Sequence, residues 1–381
     1  MKIALVSPYD FAVPGGVNNH IEHLRDNFLR LGQEVRIIAP SSRPSSHRLE
    51  QMITPIGRAV GVPAAGSVAR VTLSLRIAPK IKRLLQEERF DVIHVHEPFA
   101  PFLPMQVLRL SDAINVATFH AAKEGGRNRW YLYGRHALKR WFRRLDGKIA
   151  VSAPAMRLVS RYFPGYYNII PNGVDVEHFE REREPFPQYR DGRPNVLFVG
   201  RLEKRKGVKY LLQAFAEVKR EMPEPRLLIV GPPTRAARGY RHWVAETGLK
   251  DVEFVGYVSY DDLARYHHTA DVVVAPATGN ESQGIVLLEA MAAGRPLVAS
   301  NIEGYASVVT HGVEGLLVMP KDAHALAGAL LDLLADPQKR GEMGEKGRYR
   351  AAQFRWERVS QRVLTYYEQL QYESSSEALT E

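Results

Sequence analysis

KIALVS (residues 2–7), VNNHIEHLRDNFLRLG (residues 17–32) and VRIIAP (residues 35–40) follow one another at the start of the chain. The first and third segments are continuous apolar runs, which are typical of parallel strands buried on both faces. The segment between them has apolar residues at helical spacing, and Gly32 is a natural cap at its C-terminal end. The three segments predict a strand, a helix and a second strand of one parallel sheet.

The same alternation continues along the chain. Further apolar runs in the first half are DVIHVH (91–96), INVATFH (114–120), KIAVS (148–152) and YNIIP (167–171). A second series begins at NVLFVG (195–200). Between the two series, residues 170–194 are rich in Pro, Gly and alternating charges, and we interpret them as the domain linker.

We predict an α/β protein with two Rossmann-like, doubly wound parallel-sheet domains, because strands and helices alternate in both halves. The first domain comprises residues 1–173 and is joined by a C-terminal helix over residues 356–373. The second comprises residues 174–355, and residues 374–381 are predicted to form a flexible tail. Two such domains in tandem normally face each other across a cleft.

The composition excludes several classes of protein. The chain has 381 residues, of which 45% are hydrophobic and 25% are charged, and it contains no cysteine. These values exclude a disordered or fibrous protein, a disulfide framework, a thiolate nucleophile and a cysteine-ligated metal. We find no signal peptide and no run of about 18 apolar residues, so we expect a soluble cytoplasmic protein.

The formal charge of +10 is unevenly placed. Residues 123–148 contain nine Lys or Arg against two acidic residues, together with five aromatic residues. Basic residues interleaved with aromatics can bind nucleic acid, an anionic membrane surface or an acidic ligand. A solvated helix face whose aromatics pack inward has the same pattern, so the alternatives stay open.

Unusual residues follow the predicted strands. In open parallel sheets, ligands bind beyond the carboxyl ends of the strands. The residues at these ends are Gly15, Gly16, His96, Glu97, His120, Arg201 and Glu281. We expect the functional residues to lie among them. The glycine pair precedes a predicted helix and could expose N–H groups to an anion, although such pairs are more often tight turns.

Residues 200–207, GRLEKRKG, follow a predicted strand and open a helix. Four cations at a helix N-terminus are unfavourable for the helix itself. A bound dianion would remove that conflict, with Arg201 and Lys206 reaching it from either side. The alternative is a solvated charged loop.

Residues 279–294, GNESQGIVLLEAMAAG, contain two glutamates eight residues apart. Glu289 lies in an otherwise apolar helix, where a buried carboxylate needs a partner, and sugar hydroxyls would provide one. Glu281 either shares that helix or precedes it, depending on whether the helix begins near Glu281 or at Gly284. In the second case, N–H groups around Gly284 and Ile285 would point at a phosphate.

Six motifs occur in order: PGGV, DVIHVHEP, ATFH, IPNGVD, GRLEKRKG and E-x7-E. Together they closely resemble the family-four retaining glycosyltransferases of GT-B fold, over almost the whole chain. Within that family, SPYDFAVPGGVNNHI, GSVAR (66–70) and HVHEPFAP are similar to the bacterial phosphatidylinositol α-mannosyltransferases. The resemblance implies two Rossmann-like domains facing a cleft and an enzyme that transfers a hexose.

The resemblance also implies a role for each matching residue. The nucleotide-sugar donor would be bound by Gly16, Arg201, Lys206, Glu281, Gly284, Ile285 and Glu289. The catalytic residues would be His120, Arg201, Lys206 and Glu281. GDP-mannose is the favoured donor, and the reaction is a front-face displacement in which the leaving phosphate takes the acceptor's proton. No protein-bound cofactor or metal site is implied, and Mg²⁺ enters at most as a counter-ion of the diphosphate.

On the acceptor side, the resemblance implies that Tyr9, Ser67 and Arg70 hold the inositol phosphate of a phospholipid. LRIAPKIKRLLQEERF (75–90) then predicts a basic amphipathic helix on an anionic membrane. Its cations are Lys80, Lys82 and Arg83. Its apolar side consists of Ile81, Leu84 and Leu85. We therefore expect a peripheral enzyme on the inner face of the cell membrane; the alternative is an ordinary helix packed on the sheet.

Two departures from the subgroup leave alternative functions open. Gln283 stands where an apolar residue is usual, and GPPTRAARGY (231–240) is unlike its counterpart in the subgroup. A UDP-sugar donor with another lipid or a soluble acceptor, and a nucleotide-sugar epimerase, are the alternative enzymes. Glu281 and Glu289 would repel a polyanion, so we expect no nucleic-acid partner, and we infer no obligate protein partner.

Overall fold

The computed structural model describes residues 1–13, 15–42, 53–64, 67–123, 128–232 and 234–380. The chain divides into two compact units. Unit 1 comprises Met1–Asn172 and Trp356–Glu381, and unit 2 comprises Gly173–Arg355. Each unit is an α/β domain around a parallel sheet, which confirms the predicted pair of Rossmann-like domains.

Unit 1 is built on a seven-stranded parallel sheet. The strands of the sheet are β1 (Lys2–Val6), β2 (Glu34–Ala39), β3 (Ile53–Pro55), β6 (Val92–His96), β7 (Ile114–Phe119), β8 (Gly147–Ala150) and β9 (Asn168–Ile169). Two further strands of unit 1 are β4 (Ala59–Ala64) and β5 (Ser67–Thr72). The order in the sheet is β3-β2-β1-β6-β7-β8-β9, and β4 and β5 form a separate antiparallel hairpin. The helices are α1 (Gly16–Arg30), α2 (Ala78–Glu88), α3 (Leu103–Leu110), α4 (Arg129–Phe142), α5 (Ala153–Ser160) and the C-terminal α14 (Trp356–Thr380).

The unit 1 sheet is covered by helices on both faces. In β1, Ile3 and Leu5 pack with α1 and α14, whereas Ala4 and Val6 pack with α2, α3 and α4. Successive side chains of a strand point to opposite faces, so a strand covered on both faces has no side for polar residues. This explains the continuous apolar run at the start of the chain.

Unit 2 repeats the plan with six parallel strands. They are β10 (Asn195–Val199), β11 (Arg226–Val230), β12 (Val252–Gly256), β13 (Val272–Ala275), β14 (Leu297–Ser300) and β15 (Gly315–Val318), in the order β12-β11-β10-β13-β14-β15. The helices are α6 (Val176–Glu180), α7 (Val208–Glu221), α8 (Ala237–Thr247), α9 (Tyr260–Thr269), α10 (Ile285–Ala292), α11 (Glu303–Ala306), α12 (Ala323–Ala335) and α13 (Pro337–Ala351).

The predicted linker, residues 170–194, contains the division between the units, but from Gly173 onward it belongs to unit 2. The segment contains α6, and its Phe179 and Tyr189 are buried in the core of unit 2. Proline, glycine and charge indicate turns, but two aromatic side chains bury enough apolar surface to hold the segment against the sheet. The units divide between Asn172 and Gly173.

The predicted flexible tail at residues 374–381 also differs from the structure, because α14 continues to Thr380. No Gly or Pro follows Arg355, so nothing in this stretch ends the helix. Nearer its start, α14 is held by Tyr367, which is fully buried. Its ring contacts that of Phe28, and its hydroxyl lies 2.5 Å from His94 Nδ1 in β6.

Helix α2 does not expose an apolar side. Ile81 is buried in the unit 1 core, and Leu84 and Leu85 are half-buried against the same core. These residues stabilise the domain, so the expectation that they anchor the protein in a membrane is wrong. Among the cations, Lys82 and Arg83 are exposed, while Lys80 Nζ donates to the carbonyl of Pro55 at 2.7 Å.

Helix α4 carries most of the described part of the basic stretch at residues 123–148. Tyr131 and Leu138 pack in the core, which agrees with the alternative of a helix whose basic face is solvated and whose other face packs inward. Two aromatics do not pack inward, since Trp130 is 52% exposed and Tyr133 is 75% exposed. In the described ranges, we find no helix that is both long enough and apolar enough to span a membrane.

The buried anchor of α14 gives the first prediction. Tyr367→Ala should lower the unfolding free energy of unit 1 by about 3–5 kcal/mol, because a large buried ring is removed. Tyr367→Phe should lower it by about 1–2 kcal/mol, because only the hydroxyl partner of His94 is lost. Urea unfolding followed by hydrogen-exchange mass spectrometry reports the two units separately. Tyr372, 76% exposed on the same helix, is the control position; equal effects of Tyr367→Ala and Tyr372→Ala would contradict this packing.

Candidate active site

In unit 1, four histidines meet at the carboxyl ends of β6 and β7, and we call them the histidine array: His20, His94, His96 and His120. His94 and His96 are two residues apart in β6, so they point to the same face of the sheet. His120 follows the end of β7, and His20 comes from the buried side of α1. The His20 ring makes edge-to-face contacts with the rings of His96 and His120, with centroids 5.3 and 4.8 Å away.

Hydrogen bonds hold the array in place. His96 Nδ1 lies 3.0 Å from His120 Nε2. His94 Nε2 lies 2.6 Å from the hydroxyl of Thr118, and its Nδ1 meets Tyr367 of α14. His20 Nδ1 lies 2.9 Å from the amide oxygen of Asn172, which accepts the ring N–H.

The array is uncharged near neutral pH. Burial lowers the pKa of His20 to about 4 and that of His94 to about 3. Burial, with repulsion from the neighbouring rings, also lowers the pKa of His96 and His120 well below the ordinary histidine value. These side chains therefore act as hydrogen-bonding groups and not as cations.

Glu97 fixes the backbone beside the array. One of its carboxylate oxygens accepts the N–H of His120 at 2.7 Å and that of Ala121 at 3.0 Å. Burial raises the pKa of Glu97, and these two hydrogen bonds oppose the rise. The side chain thus ties the end of β6 to the end of β7.

Within the described residues, three members of the array could hold a metal ion: His20, His96 and His120. Their ligand atoms lie within 4.8 Å of one another. Tetrahedral zinc with bonds of about 2.0 Å needs ligand nitrogens about 3.3 Å apart. The nitrogens at 3.0 Å, on His96 and His120, instead have the separation of a hydrogen-bonded pair.

Of the residues predicted to bind the acceptor, Tyr9 lies near Glu97, beside the array. Tyr9 forms a β-bridge with Val71, and Asp10 N–H donates to the carbonyl of Arg70 at 2.8 Å. Burial and the nearby carboxylate of Glu97 raise the pKa of Tyr9, so its hydroxyl is neutral. The guanidinium of Arg70 is more than half exposed, 3.9 Å from the Asp10 carboxylate. Ser67 lies on β5, but its side chain falls outside the described residues.

The glycine pair lies where the sequence predicts it. Helix α1 begins at Gly16, with Gly15 as its N-cap in extended conformation and no capping side chain. A Cβ at either position would meet nothing within 4 Å among the described residues. The first turn of α1 is therefore uncapped and open.

In unit 2, the loop after β10 packs tightly on the loop after β13. Residues Lys204–Lys206 form a 3-10 turn, and Gly207 follows with φ +75°. A Cβ on Gly207 would lie 1.8 Å from the carbonyl oxygen of Pro276, so only glycine fits there. The N–H of Thr278 donates to the carbonyl of Arg205 at 2.8 Å and joins the two loops.

Glu281 is the buried acid of this region. Its carboxylate pairs with Lys206 Nζ at 2.9 Å and with the guanidinium of Arg205. Arg205 also pairs with Glu203 at 3.0 Å, and Glu203 in turn lies 3.3 Å from Arg201. Three of the four cations of GRLEKRKG thus meet two carboxylates.

The sequence predicts Arg201, Lys206 and Glu281 as one site, and the structure brings Lys206 and Glu281 into contact. Sequence reasoning missed Arg205 and Glu203 as their partners. Both stand inside the quoted motif, but spacing alone does not tell which of several neighbouring cations reaches a carboxylate.

Helix α10 begins at Ile285, so Glu281 precedes it and does not share its face with Glu289. The N-cap, Gly284, has φ +80°, and a Cβ there would lie 2.5 Å from the Tyr305 ring. Among the residues that the structure describes, no side chain caps this N-terminus. Its first N–H groups can therefore donate hydrogen bonds to an anion.

Glu289 lies on the same helix, half-buried. Its Oε2 atom is 3.7 Å from Nε2 of His267. His267 is fully buried, and its ring nitrogens have no hydrogen-bond partner among the described residues. Sequence reasoning missed His267, because it belongs to α9, whose packing against α10 cannot be inferred from either segment alone.

Two family models match the chain. The model described as Glycosyltransferase Family 4 matches residues 14–178, and the model described as Glycosyl transferases group 1 matches residues 180–350. Phosphatidyl-myo-inositol mannosyltransferase of Mycobacterium leprae is 36% identical over 369 residues, which are 97% of this chain and 96% of the relative. The protein of the same name from Propionibacterium freudenreichii is 33% identical over 376 residues, with 96% and 94% covered.

Solved structures agree with these matches. Sucrose-phosphate synthase from Thermosynechococcus elongatus has a TM-score of 0.78 at 26% identity, covering 97% of this chain and 98% of that chain. HepE of Anabaena, solved in complex with UDP, has a TM-score of 0.78 at 21% identity, covering 97% and 100%, and supports the fold. The chain is therefore a glycosyltransferase and belongs to the family-four, group 1 glycosyltransferases of GT-B fold, together with the bacterial phosphatidyl-myo-inositol mannosyltransferases.

Proposed function

We propose that this glycosyltransferase transfers mannose, with retention, from GDP-mannose to the inositol of a phosphatidylinositol-type phospholipid. The observation that carries the proposal is the buried carboxylate of Glu281, paired with Lys206 and Arg205 in the loop that leads into α10. A carboxylate there suits sugar hydroxyls, and the cations suit a diphosphate. The printed names of relatives at 33–36% identity support mannose and phosphatidylinositol.

The donor would be held by charge and by helix N-termini. Arg201 and Lys206 would neutralise the diphosphate, and the N–H groups of Gly284 and Ile285 would approach its oxygens. Gly16 at the open start of α1 would offer a further N–H group. Glu289 would accept hydrogen bonds from the ribose hydroxyls, and Glu281 from hydroxyls of the sugar.

The reaction would be a front-face displacement. The bond between the anomeric carbon and the phosphate oxygen breaks, and the acceptor oxygen bonds to the same face of the sugar. The acceptor's proton passes to the departing phosphate oxygen. Lys206 and Arg201 would stabilise the negative charge that develops on the diphosphate, and stabilisation of this kind is usually the largest single contribution to catalysis. His120 orients the sugar, since its Nε2 atom already meets His96.

The acceptor would approach through Tyr9, Ser67 and Arg70. A half-exposed guanidinium suits the phosphate of an inositol phospholipid, and a neutral tyrosine hydroxyl suits the ring hydroxyls. The enzyme would act as a peripheral protein at the cytoplasmic leaflet. Contact with the membrane would rest on charge, because the apolar side of α2 is buried in the core.

The test of the function is a transfer assay. The purified enzyme is incubated with GDP-mannose, UDP-glucose or ADP-glucose and with vesicles that contain phosphatidylinositol or only phosphatidylcholine. We expect a mannosylated phosphatidylinositol from GDP-mannose alone. Interconversion of a nucleotide sugar without acceptor would indicate an epimerase, and transfer from a UDP-sugar would replace the donor assignment.

The cationic turn gives a second prediction. Arg201→Ala and Lys206→Ala should each lower kcat by at least about 100-fold without unfolding unit 2, because each removes a charge that stabilises the leaving diphosphate. Lys204→Ala is the matched control, since Lys204 is an exposed cation of the same turn. Steady-state kinetics and circular dichroism measure both effects. Wild-type turnover in either active-site variant would refute the diphosphate assignment.

Membrane binding gives a third prediction. A Lys80/Lys82/Arg83 triple alanine variant should bind vesicles of anionic lipid about 10- to 100-fold more weakly, because each cation contributes at most about 1 kcal/mol at such a surface. The binding should also fall at high salt. Co-sedimentation measures it, with an Arg220/Lys250/Lys346 triple alanine variant of unit 2 as the charge-matched control. Equal binding to neutral and anionic vesicles would contradict a charge-driven contact.

A further inference from the structure

One hydrogen bond determines where the protons of His96 and His120 lie. His96 Nδ1 and His120 Nε2 are 3.0 Å apart. Burial lowers the pKa of both rings well below the ordinary value, so each ring carries a single N–H near pH 7. One of the two facing nitrogens must therefore donate, and the other must accept.

The remaining nitrogen of His96 distinguishes the two arrangements. His96 Nε2 is buried and has no hydrogen-bond partner among the described residues. If His120 donated, His96 would carry its proton on this nitrogen, and a buried N–H would be left unsatisfied. If His96 donates from Nδ1, the atom without a partner is an acceptor, which is the more tolerable defect in a protein interior.

We propose that His96 donates from Nδ1 to Nε2 of His120 and thereby places the proton of His120 on its Nδ1 atom. His120 is half-buried, and its Nδ1 makes no hydrogen bond within the described part of unit 1. The ring thus offers an Nδ1–H donor to a ligand, while its Nε2 lone pair is engaged by His96. His96 is a positioning residue that acts through His120.

Neighbouring rings hold the side chains of His96 and His120 in these orientations. His20 presents its ring to His96 and His120, and it is held by Asn172 on one side and by the edge of Trp356 on the other. The centroid separation between His20 and Trp356 is 5.1 Å. A rotation of either proposed partner would break the hydrogen bond and disturb this packing.

The assignment deepens the mechanism, and its catalytic part rests on the proposed function. With a donor at Nδ1 and no free lone pair, His120 can hydrogen-bond an oxygen of the sugar or of the phosphate. It can be neither a nucleophile nor a general base. This agrees with a reaction in which the departing phosphate accepts the proton.

The first test is a spectrum of the wild-type enzyme and does not depend on activity. Long-range ¹H–¹⁵N correlation spectra of protein labelled with ¹⁵N-histidine distinguish the two neutral tautomers, and the signals that disappear in His120→Gln belong to His120. We expect His120 protonated on Nδ1. A proton on Nε2, or a charged ring at pH 7, would overturn the proposal.

The second test separates positioning from structural support. His96→Leu removes the donor, so His120 should lose its fixed tautomer, and kcat should fall about 10- to 100-fold with little change in the KM for the donor. His96→Asn keeps an N–H near the Nδ1 position and should restore most of the turnover and the His120 spectrum. His242→Leu, at an exposed histidine of unit 2, is the control.

Three results would distinguish this role of His96 from the alternatives. Equal losses in His96→Leu and His96→Asn, with lowered melting temperatures in both, would show that His96 only fills the core. A His120 spectrum that changes on treatment with EDTA would show that the rings share a metal ion and not a proton. If no sugar transfer is found but His120 carries its proton on Nδ1, the proposed function fails and the tautomer assignment stands.

Discussion

A carboxylate that is only 8% exposed needs cations beside it, and in unit 2 the carboxylate of Glu281 is held by Lys206 and Arg205. An unpaired charge at that depth would cost several kcal/mol. The local structure serves this pairing. Gly207 brings the cationic turn against Pro276, and Thr278 hydrogen-bonds the carbonyl of Arg205, so the two loops meet with the opposite charges in contact.

The same pairing allows a cluster of cations to exist before any ligand binds. Arg201, Arg205 and Lys206 would repel one another at the start of α7, but Glu203 and Glu281 lie between them. The cations that would bind a diphosphate are therefore already in position, and Lys206 would interact with both the diphosphate and Glu281. Unit 1 contains buried histidines instead of paired charges. Burial keeps the histidine array neutral, so His120 is oriented by hydrogen bonds.

Much of the fold could be predicted because the central parallel strands are covered on both faces, and that produces a local signal in the sequence. The apolar run of β1 is of this kind. Local signals fail where the partner comes from elsewhere in the chain. From the sequence, Ile81 could lie on an exposed apolar side of α2, but in the structure it is buried in the unit 1 core. Phe179 lies among turn residues in the sequence but packs in the core of unit 2. The same limit applies to the site: His20 of α1 meets His96 of β6, although the two residues lie far apart in the chain.

In the proposed function, Glu281 binds the sugar while Lys206 and Arg201 bind the diphosphate. Isothermal titration calorimetry of the wild-type enzyme and Glu281→Gln, with GDP and with GDP-mannose, tests it most directly. We expect the variant to bind GDP as tightly as the wild type or more tightly, because Lys206 loses a competing partner. We also expect it to bind GDP-mannose no more tightly than GDP. A variant that binds GDP ten-fold more weakly, yet still gains affinity from mannose, would contradict it.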